Sequence, residues 1–311
     1  MSFLNYLPAY ILNHSPKIVA AFEMDFLRNL SSFSKAIPEK ERFTMLLSLG
    51  WSAELPEVLA DLKNRIADAR KIFPEARFIF LANTPAEAAN IREFCEVYTV
   101  NHNVFLDPRR YPVAKKKQKK FHALYIARIT PFKRHFLAEK IENLHLIGDY
   151  AAKEEEYFKQ VIARMPHAVW SRKVPAFFIG GKICESACGL ALSAVEGAMF
   201  SCGEYSLCGI PVVNTVNLGG RDTLLPDFAF RYAEDNADSV AEKVEYFVHD
   251  PIDPMEIRDG FLRLVQPQKA LVQDLVNSIA GKKVYLPHKL GIRCGLLPHI
   301  KFLHGIRATD R

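Results

Sequence analysis

Short apolar runs alternate with amphipathic stretches along the chain from residue 44 onward. Apolar runs predict buried strands, and apolar positions that recur at steps of three and four residues predict helices packed against them. This alternation is typical of an α/β protein. In the first half, the pattern predicts strands at residues 44–49, 78–82 and 97–100, and helices at residues 53–73 and from Pro85 onward.

The second helix of this half has a marked beginning. Thr84 suits the N-cap position, Pro85 the first helical position, and Glu87 the third, where it completes a capping box. The sequence therefore predicts that this helix starts directly after Thr84.

A second and longer series repeats the alternation from residue 122. Its predicted strands lie at residues 122–127, 144–147, 189–193, 210–215 and 228–232. Its predicted helices lie at residues 131–141, 151–165, 197–208 and 237–248. We expect this series to form one Rossmann-like unit of about 170 residues.

The lysine run at residues 115–120 separates the two series. We place the domain boundary there, and expect a small first domain at residues 1–115, a Rossmann-like domain at residues 116–285, and a tail at residues 286–311 that packs back on the first domain. Such a run can also bind anionic lipids or nucleic acid. Because no aromatic side chains interleave it to stack on bases, a solvated linker is the favoured interpretation.

Composition is that of a globular protein with room for two domains, with 311 residues, 49% hydrophobic and 24% charged. The apolar stretch at residues 3–12 is interrupted by Pro8 and lacks a preceding Lys or Arg, unlike a signal peptide. No window approaches the ~20 apolar residues that cross a bilayer. We expect a cytoplasmic protein, with peripheral contact at the inner face of a membrane left open.

Charge and cysteines refine this picture. A net charge of +6 favours anionic partners. Six cysteines are present, but four crowd into residues 184–208 without a CxxC pair or other metal-ligand spacing. We therefore expect buried reduced thiols and no metal site.

Two cations follow the strand predicted at residues 122–127. Arg128 stands at its end, and Lys133 falls in the first turn of the next predicted helix. Thr130 suits the N-cap of that helix, and Pro131 its first position. Because a helix start gathers unpaired amides and a positive dipole end, the two cations predict a diphosphate site at the carboxyl edge of the sheet, or else a solvated surface.

Two glutamates, Glu196 and Glu204, lie eight positions apart across a predicted strand-to-helix junction. If the interval is helical, the rise per residue separates them by about 12 Å. This matches the reach from a sugar across a diphosphate to a ribose. Two exposed acidic residues near a helix start are the alternative.

Together these residues resemble those of retaining GT-B glycosyltransferases, most closely the family 4-like group. The resemblance covers residues 121–251. Its motifs follow the family order: Arg128 with Lys133, Glu196 with Glu204, the Cys-Gly-Ile-Pro-Val-Val segment at residues 208–213, the glycine pair at residues 219–220, and the segment at residues 235–241. It implies a GT-B-like α/β fold of two Rossmann-like domains facing a cleft, the N-terminal one small and atypical.

The resemblance also implies an activity, namely transfer of a sugar from a nucleoside-diphosphate sugar with retention of configuration. Arg128 and Lys133 would bind the diphosphate and stabilise the leaving group. Glu196 would contact the sugar, Gly197 and Ala198 the donor through their backbone, and Glu204 the ribose. The cations would replace a metal, no cofactor is implied, and the acceptor would be a saccharide or lipid-linked saccharide of bacterial surface-polysaccharide assembly.

The chain departs from the family in several places. Gly197-Ala198-Met199 stands where Gly-Phe-Gly is usual, and Arg221-Asp222 follows the glycine pair where a glutamate is common. No glycine precedes Gly50, so the usual glycine-rich loop of the first domain is missing or shortened. In that domain His102 is nearest the crossover, and we expect it to be structural.

Three alternatives to a transferase stay open at this point. One is a GT-B enzyme of other chemistry, such as a sugar-nucleotide epimerase or a phosphorylase. Another is a catalytically inactive nucleotide-sugar-binding protein. A nucleic-acid-binding role, which would depend on the lysine run, is the least favoured, and no nucleic-acid partner is expected.

Overall fold

A computed structural model describes residues 7–115 and 119–286. These residues divide into two compact units, one formed by residues 7–106 with residues 266–286 and the other by residues 107–265. The lysine run therefore does not mark the boundary. Backbone hydrogen bonds hold both of its flanks to the second unit, from Ala114 to Cys208 (2.8 Å) and from Lys120 to Glu185 (2.9 Å). Residues 287–311, which include most of the predicted tail, lie outside the described residues.

The first unit contains one five-stranded sheet. Its strands are β1 (Ala9–His14), β2 (Lys17–Phe22), β3 (Phe43–Ser48), β4 (Arg77–Ala82) and β5 (Glu96–Thr99). Its helices are α1 (Glu23–Leu27), α2 (Leu30–Ala36), α3 (Pro56–Ile72) and α4 (Pro85–Arg92). The strands lie in the order β1-β2-β3-β4-β5, and all neighbours are parallel except the β1-β2 hairpin.

Strand order in this sheet follows the chain from β2 to β5, so every crossover runs in the same direction. Right-handed crossovers of that kind place all the helices on one face. Accordingly α1 to α4 share one apolar cluster with alternate residues of β3 and β4, such as Met45 and Phe80. The opposite face is covered as well, because Ile18 and Ile79 are fully buried. A strictly sequential sheet has no point at which the strand order reverses.

The predicted start of α4 is confirmed. The Thr84 hydroxyl accepts a hydrogen bond from Glu87 N–H (3.0 Å), and the Glu87 carboxylate accepts one from Thr84 N–H (3.3 Å). The same carboxylate also accepts from the N–H groups of Asn83 (2.7 Å) and Ala53 (3.3 Å). Glu87 therefore joins the start of α4 to the loop after β3. Strands β1 and β2, by contrast, precede the region in which the sequence pattern predicts structure.

The second unit contains a six-stranded parallel sheet. Its strands are β6 (Phe121–Ile126), β7 (Leu144–Ile147), β8 (Val169–Ser171), β9 (Ser186–Ala191), β10 (Val212–Thr215) and β11 (Phe230–Ala233). Its helices are α5 (Glu155–Arg164), α6 (Ala176–Cys184), α7 (Phe200–Cys208) and α8 (Ala237–His249). The long helix α9 (Pro254–Ala280) contains Pro267, next to the point where the two units divide.

Most predicted elements of this unit are present, and the bounds of β7 match exactly. Two predicted helices begin later than expected. Residues 152–154 form a single 3₁₀ turn before α5, and α7 begins at Phe200 rather than at Gly197. Strand β8 and helices α6 and α9 were not predicted. In the part of the chain that the structure describes, no helix is both long enough and apolar enough to span a bilayer.

A buried carboxyl in the first unit makes stability depend on pH. Glu23 is 2% exposed and accepts a hydrogen bond from Gly50 N–H (2.8 Å), and its burial raises its pKa from 4.5 to about 8. Between these values the folded protein holds a proton that the unfolded chain has lost. Folding stability from this group is therefore present at low pH and is lost as the pH rises through 8.

We expect Glu23→Gln to reduce this dependence, because the amide oxygen still accepts from Gly50 N–H but no longer titrates. Urea unfolding at pH 5 and pH 8 measures it. The wild-type protein should lose more stability than the variant between pH 5 and pH 8. The buried Glu87 is present in both proteins and should contribute equally to each, so the difference between them reports Glu23. An identical change in the two proteins would contradict the assignment.

Candidate functional site

The sheet of the second unit has one point at which its strand order reverses. In the order β11-β10-β9-β6-β7-β8, the chain passes from β6 outward to β8 and then returns to the other side of β6 to form β9. This is the classical doubly wound arrangement, in which ligands bind at the carboxyl edge where the order reverses. The switch point therefore lies between the loops that follow β6 and β9.

Lys133 and Glu196 meet across this switch point. Lys133 belongs to the loop after β6 and Glu196 to the loop after β9, and Lys133 Nζ lies 2.5 Å from Glu196 Oε2. They are only 7% and 9% exposed. The Ser193 hydroxyl donates to the same carboxylate oxygen (2.6 Å). The predicted sugar-contacting glutamate and the predicted phosphate-binding lysine are thus brought into direct contact.

Burial shapes the electrostatics of this pair. It lowers the pKa of Lys133, because removing water disfavours the ammonium, while the charge of Glu196 and its hydrogen bond oppose that shift. A buried pair of this kind is costly to break on one side only, since the remaining charge has no water to solvate it. The pair therefore joins the loops after β6 and β9, and it keeps the Lys133 ammonium at the switch point.

The helix predicted at residues 131–141 is wrong. Residues 131–133 and 135–138 form two 3₁₀ turns, separated by Arg134 in the left-handed conformation (φ 51°). Tertiary hydrogen bonds explain the break, because the Arg134 guanidinium reaches Leu192 O (2.5 Å), Thr215 Oγ1 (2.8 Å) and Asp235 (2.7 Å). These bonds fix the side chain toward β9, β10 and β11.

The break in this segment removes the helix start that the sequence predicts beside the anion site. The Thr130 side chain makes no capping hydrogen bond, and a three-residue turn starting at Pro131 has no long dipole behind it. A helix start therefore does not contribute to phosphate binding here, contrary to the prediction. What remains is the position of the cations at the switch point.

Groups beneath the β6 loop hold Lys133 in place. The Tyr125 hydroxyl donates to Lys133 O (2.6 Å), and the ring of Tyr125 packs against His135 with centroids 5.0 Å apart. His135 is fully buried, which lowers its pKa to about 3, so this histidine is neutral at physiological pH. Tyr157 accepts from His135 N–H (3.1 Å).

Arg128 lies two residues after the end of β6, and it is exposed. Its guanidinium lies 6.0 Å from the centroid of the Phe132 ring, over which Lys133 Nζ also lies at 5.0 Å. The bend after β6 is close to the next loop: a Cβ on Gly148 would lie 1.8 Å from Ala127 O. Arg128 thus stands on a rigid bend, at the same edge of the sheet as Lys133.

The loop that carries Glu196 is held by the glycine pair after β10. Leu218 pairs with Val195 in a parallel bridge, and Gly220 N–H donates to Gly197 O (2.6 Å). Gly219 has φ +114°, and a Cβ there would lie 1.6 Å from Glu196 O. Glycine is needed at position 219 because any side chain there would push Glu196 away.

Gly197 and Ala198 lie in this loop, ahead of α7. The interval from Glu196 to Glu204 is therefore not wholly helical, and the separation of about 12 Å from a helical rise does not apply. Glu204 lies on α7 and accepts a hydrogen bond from the Tyr111 hydroxyl (3.0 Å). This bond orients its carboxylate.

His102 belongs to the first unit and has structural contacts there. It is 4% exposed, its Nδ1 lies 3.1 Å from Leu49 O, and its backbone N–H donates to Asn83 Oδ1 (3.1 Å). Four of the cysteines, at residues 95, 188, 202 and 208, are buried free thiols as predicted, Cys184 is partly buried, and Cys294 lies outside the described residues. Within residues 7–115 and 119–286, no cluster of three His, Cys, Asp or Glu side chains could hold a metal.

Comparison with known proteins identifies the fold. No family model matches the chain, and no curated protein matches it. Solved structures do: a variant of S. aureus TarM with fondaparinux, alpha-GlcNAc-glycerol and UDP (TM-score 0.59, 13% identity), and Anabaena HepE with UDP (0.62, 14%). Sucrose-phosphate synthase from Thermosynechococcus elongatus also matches (0.56, 13%).

These structures are GT-B glycosyltransferases. The chain has the GT-B fold. The three matches cover 84%, 85% and 83% of this chain, which confirms the predicted fold class. In turn the chain spans about half of TarM (54%) and 78% of each of the other two. At these identities the likeness establishes the GT-B fold alone.

Sequence reasoning missed two arginines near the switch point. Arg134 follows Lys133 directly, but it fell inside the helix predicted at residues 131–141 and was given no role. Arg221 appeared only as a departure from the family pattern, although it is 1% exposed beside Glu196. An arginine between a glycine pair and an aspartate was the available signal.

We expect Gly219→Ala to destabilise the protein by at least about 2 kcal/mol, because the new Cβ meets Glu196 O and the backbone is in the left-handed region. Gly181→Ala is the matched control, since it lies inside α6 with nothing within 4 Å of the new Cβ. Alanine there should stabilise the helix by ~0.5–1 kcal/mol. Thermal unfolding compares the two, and a neutral Gly219→Ala would contradict the close approach.

A double-mutant cycle tests the buried pair. Lys133→Met and Glu196→Gln should each be destabilising, the former by about 3 kcal/mol because it leaves a buried carboxylate, and the double variant should recover part of the loss. The exposed pair of Lys140 with Asp238 (2.5 Å) is the control, with a coupling of no more than ~1 kcal/mol. Urea unfolding measures both cycles, and additive effects at Lys133 and Glu196 would exclude a coupled pair.

Proposed function

We propose that this protein is a glycosyltransferase that uses a nucleoside-diphosphate sugar. The observation that carries the proposal is the ion pair between Lys133 and Glu196 at the switch point of a doubly wound sheet. A cation and a carboxylate side by side, at the edge where such sheets bind nucleotides, fit the two ends of one donor. The cation suits the diphosphate and the carboxylate suits the sugar hydroxyls.

The chemistry follows from where charge develops. As the bond between sugar and diphosphate breaks, negative charge grows on the leaving phosphate. Arg128 and Lys133 stabilise that charge, most strongly where water is excluded, as it is around Lys133. Glu196 accepts hydrogen bonds from sugar hydroxyls once Lys133 turns toward the phosphate. Its other partner, the Ser193 hydroxyl, keeps its carboxylate oriented.

The remaining contacts to the donor follow the predicted assignments. The backbone of Gly197 and Ala198 faces the donor from the loop that Gly219 holds in place. Glu204 accepts from the ribose diol, with its carboxylate oriented by the hydrogen bond from the Tyr111 hydroxyl. HepE and TarM were both solved with UDP, which makes UDP the first nucleotide to test.

The finer features of the reaction belong to the same proposal. The sugar is transferred with retention of configuration, without a metal, because the two cations take the place of a metal at the diphosphate. No protein nucleophile is assigned, since the leaving phosphate can accept the proton of the acceptor hydroxyl. The acceptor is a saccharide or lipid-linked saccharide of bacterial surface-polysaccharide assembly, reached in the cytoplasm or at the inner face of a membrane.

One observation favours a second candidate, a nucleotide-sugar-binding protein without catalysis. The first unit has a sequential sheet with no switch point, and the N–H of Gly50, the first glycine of the chain, donates to the buried carboxyl of Glu23. Among the described residues of this unit, the usual glycine-rich loop of the first domain is thus missing or shortened to residues 50–52. Such a protein binds the donor but does not consume it. Its Glu196 variants likewise do not consume the donor.

Isothermal titration with UDP, GDP and CDP tests donor binding. We expect one of them to bind, and Lys133→Met and Arg128→Met each to weaken binding about tenfold, the factor for loss of one charge-assisted contact. Lys140→Met, an exposed lysine of the same unit, is the control and should bind as the wild type does. Absence of binding by all three nucleotides would refute the proposal.

Turnover separates the transferase from the binding protein. Release of nucleoside diphosphate from its sugar should depend on added acceptor extract, and Glu196→Gln should lower the turnover rate by more than it lowers donor affinity. Donor binding without release under any acceptor would favour the binding protein, and release without acceptor would favour a different reaction.

A further inference from the structure

Arg221 is the most deeply buried charged side chain near the switch point, at 1% exposure. It follows the glycine pair after β10, at a position where the resemblance leads one to expect a different residue. A guanidinium removed from water is costly unless its N–H groups find acceptors. The fold keeps it there even though its Nε has no hydrogen-bond partner among the described residues.

The two terminal nitrogens of Arg221 tie two strands together. One donates to Ser193 O (2.5 Å) and the other to Thr215 O (2.5 Å). Ser193 follows β9, and Thr215 ends β10. The planar fork of arginine suits this task, because it spans two carbonyl groups in fixed directions, whereas a lysine offers one flexible point charge.

Arg221 also reaches Glu196 through one hydroxyl. The nitrogen that bonds Ser193 O lies 3.4 Å from Ser193 Oγ, and that hydroxyl donates to Glu196 Oε2 (2.6 Å). The same carboxylate oxygen contacts Lys133 Nζ. A continuous chain therefore runs from Arg221 through Ser193 and Glu196 to Lys133.

The charges along this chain do not cancel. Two buried cations, Arg221 and Lys133, are linked to the one buried carboxylate of Glu196, whereas the Asp222 carboxylate, whose charge also acts on Arg221, is only partly buried. Arg221 and Lys133 disfavour each other's charged forms, and Arg221 contributes to lowering the pKa of Lys133. A diphosphate arriving beside Lys133 would relieve this repulsion. The two buried cations are thus complementary to an anion at the switch point.

We propose that Arg221 is a positioning residue of the donor site. It holds the loops after β9 and β10 at a fixed spacing, orients Glu196 through Ser193, and supplies the second cation that allows Lys133 to leave Glu196 for a phosphate. This inference rests on the proposed function, and it adds a residue whose contribution is to diphosphate affinity rather than to the nucleoside.

The test compares a nucleoside diphosphate with its nucleoside, because a merely structural residue would affect both alike. UDP with uridine, and GDP with guanosine, are titrated into the wild type, Arg221→Lys and Ser193→Ala, with ligand-observed NMR for the weaker nucleosides. Val244→Ala is the stability control. Val244 is fully buried on α8 and takes no part in the contacts that link Arg221 to Lys133 through Ser193 and Glu196.

We expect Arg221→Lys to weaken diphosphate binding about tenfold and nucleoside binding less than twofold. Ser193→Ala should weaken diphosphate binding in the same selective way but to a smaller extent, and it decides the matter if Arg221→Lys does not fold. Val244→Ala should lower the melting temperature without this selectivity.

The failures are distinguishable. If the wild type binds neither UDP nor GDP, the proposed function fails and this inference fails with it. If the wild type binds and the variants bind the diphosphate equally well, or lose the nucleoside and the diphosphate alike, Arg221 has no positioning role and the proposed function stands.

Discussion

The ion pair between Lys133 and Glu196 is the contact on which the proposed site depends. Each group is taken out of water, and each is tolerated there because the other is 2.5 Å away. The pair joins the loops after β6 and β9 across the switch point. The left-handed Arg134, the close approach of Gly219 and the buried Arg221 all support the backbone on either side of it.

Sheet topology explains why this site lies in the second unit. Parallel strands collect their loops at one edge, but adjacent loops diverge to leave a crevice only where the strand order reverses. The sheet from β6 to β11 has such a point, and the sheet from β1 to β5 does not. The same physical rule therefore supports a nucleotide site in one unit and gives the other no equivalent place for a ligand.

Local pattern was sufficient to predict eight of the eleven strands in the described residues and the capped helix α4. Apolar runs determine burial in a parallel sheet, and Thr84 with Glu87 forms its capping box within a few residues. Residues 131–141 could not be predicted in this way, because the helical pattern there competes with bonds from Arg134 to residues far along the chain. Arg134 makes more favourable contacts in the left-handed conformation than a continued helix would provide.

The candidate site residues show the same difference between what the local sequence reveals and what depends on contacts distant in sequence. Arg128, Lys133 and Glu196 were predicted from their order along the chain, and the structure places them at one edge of the sheet. Arg221 was not found, because its importance comes from Ser193 O and Thr215 O, which no sequence spacing reveals. Its departure from the family pattern was visible, but the meaning of that departure required the fold.

The most direct measurement of the central claim is a crystal structure of the protein with UDP. We predict that the diphosphate lies between the loops after β6 and β9. Lys133 Nζ should have moved from Glu196 to within about 3 Å of a phosphate oxygen. A nucleotide bound elsewhere, with the pair of Lys133 and Glu196 intact and the switch point empty, would contradict it.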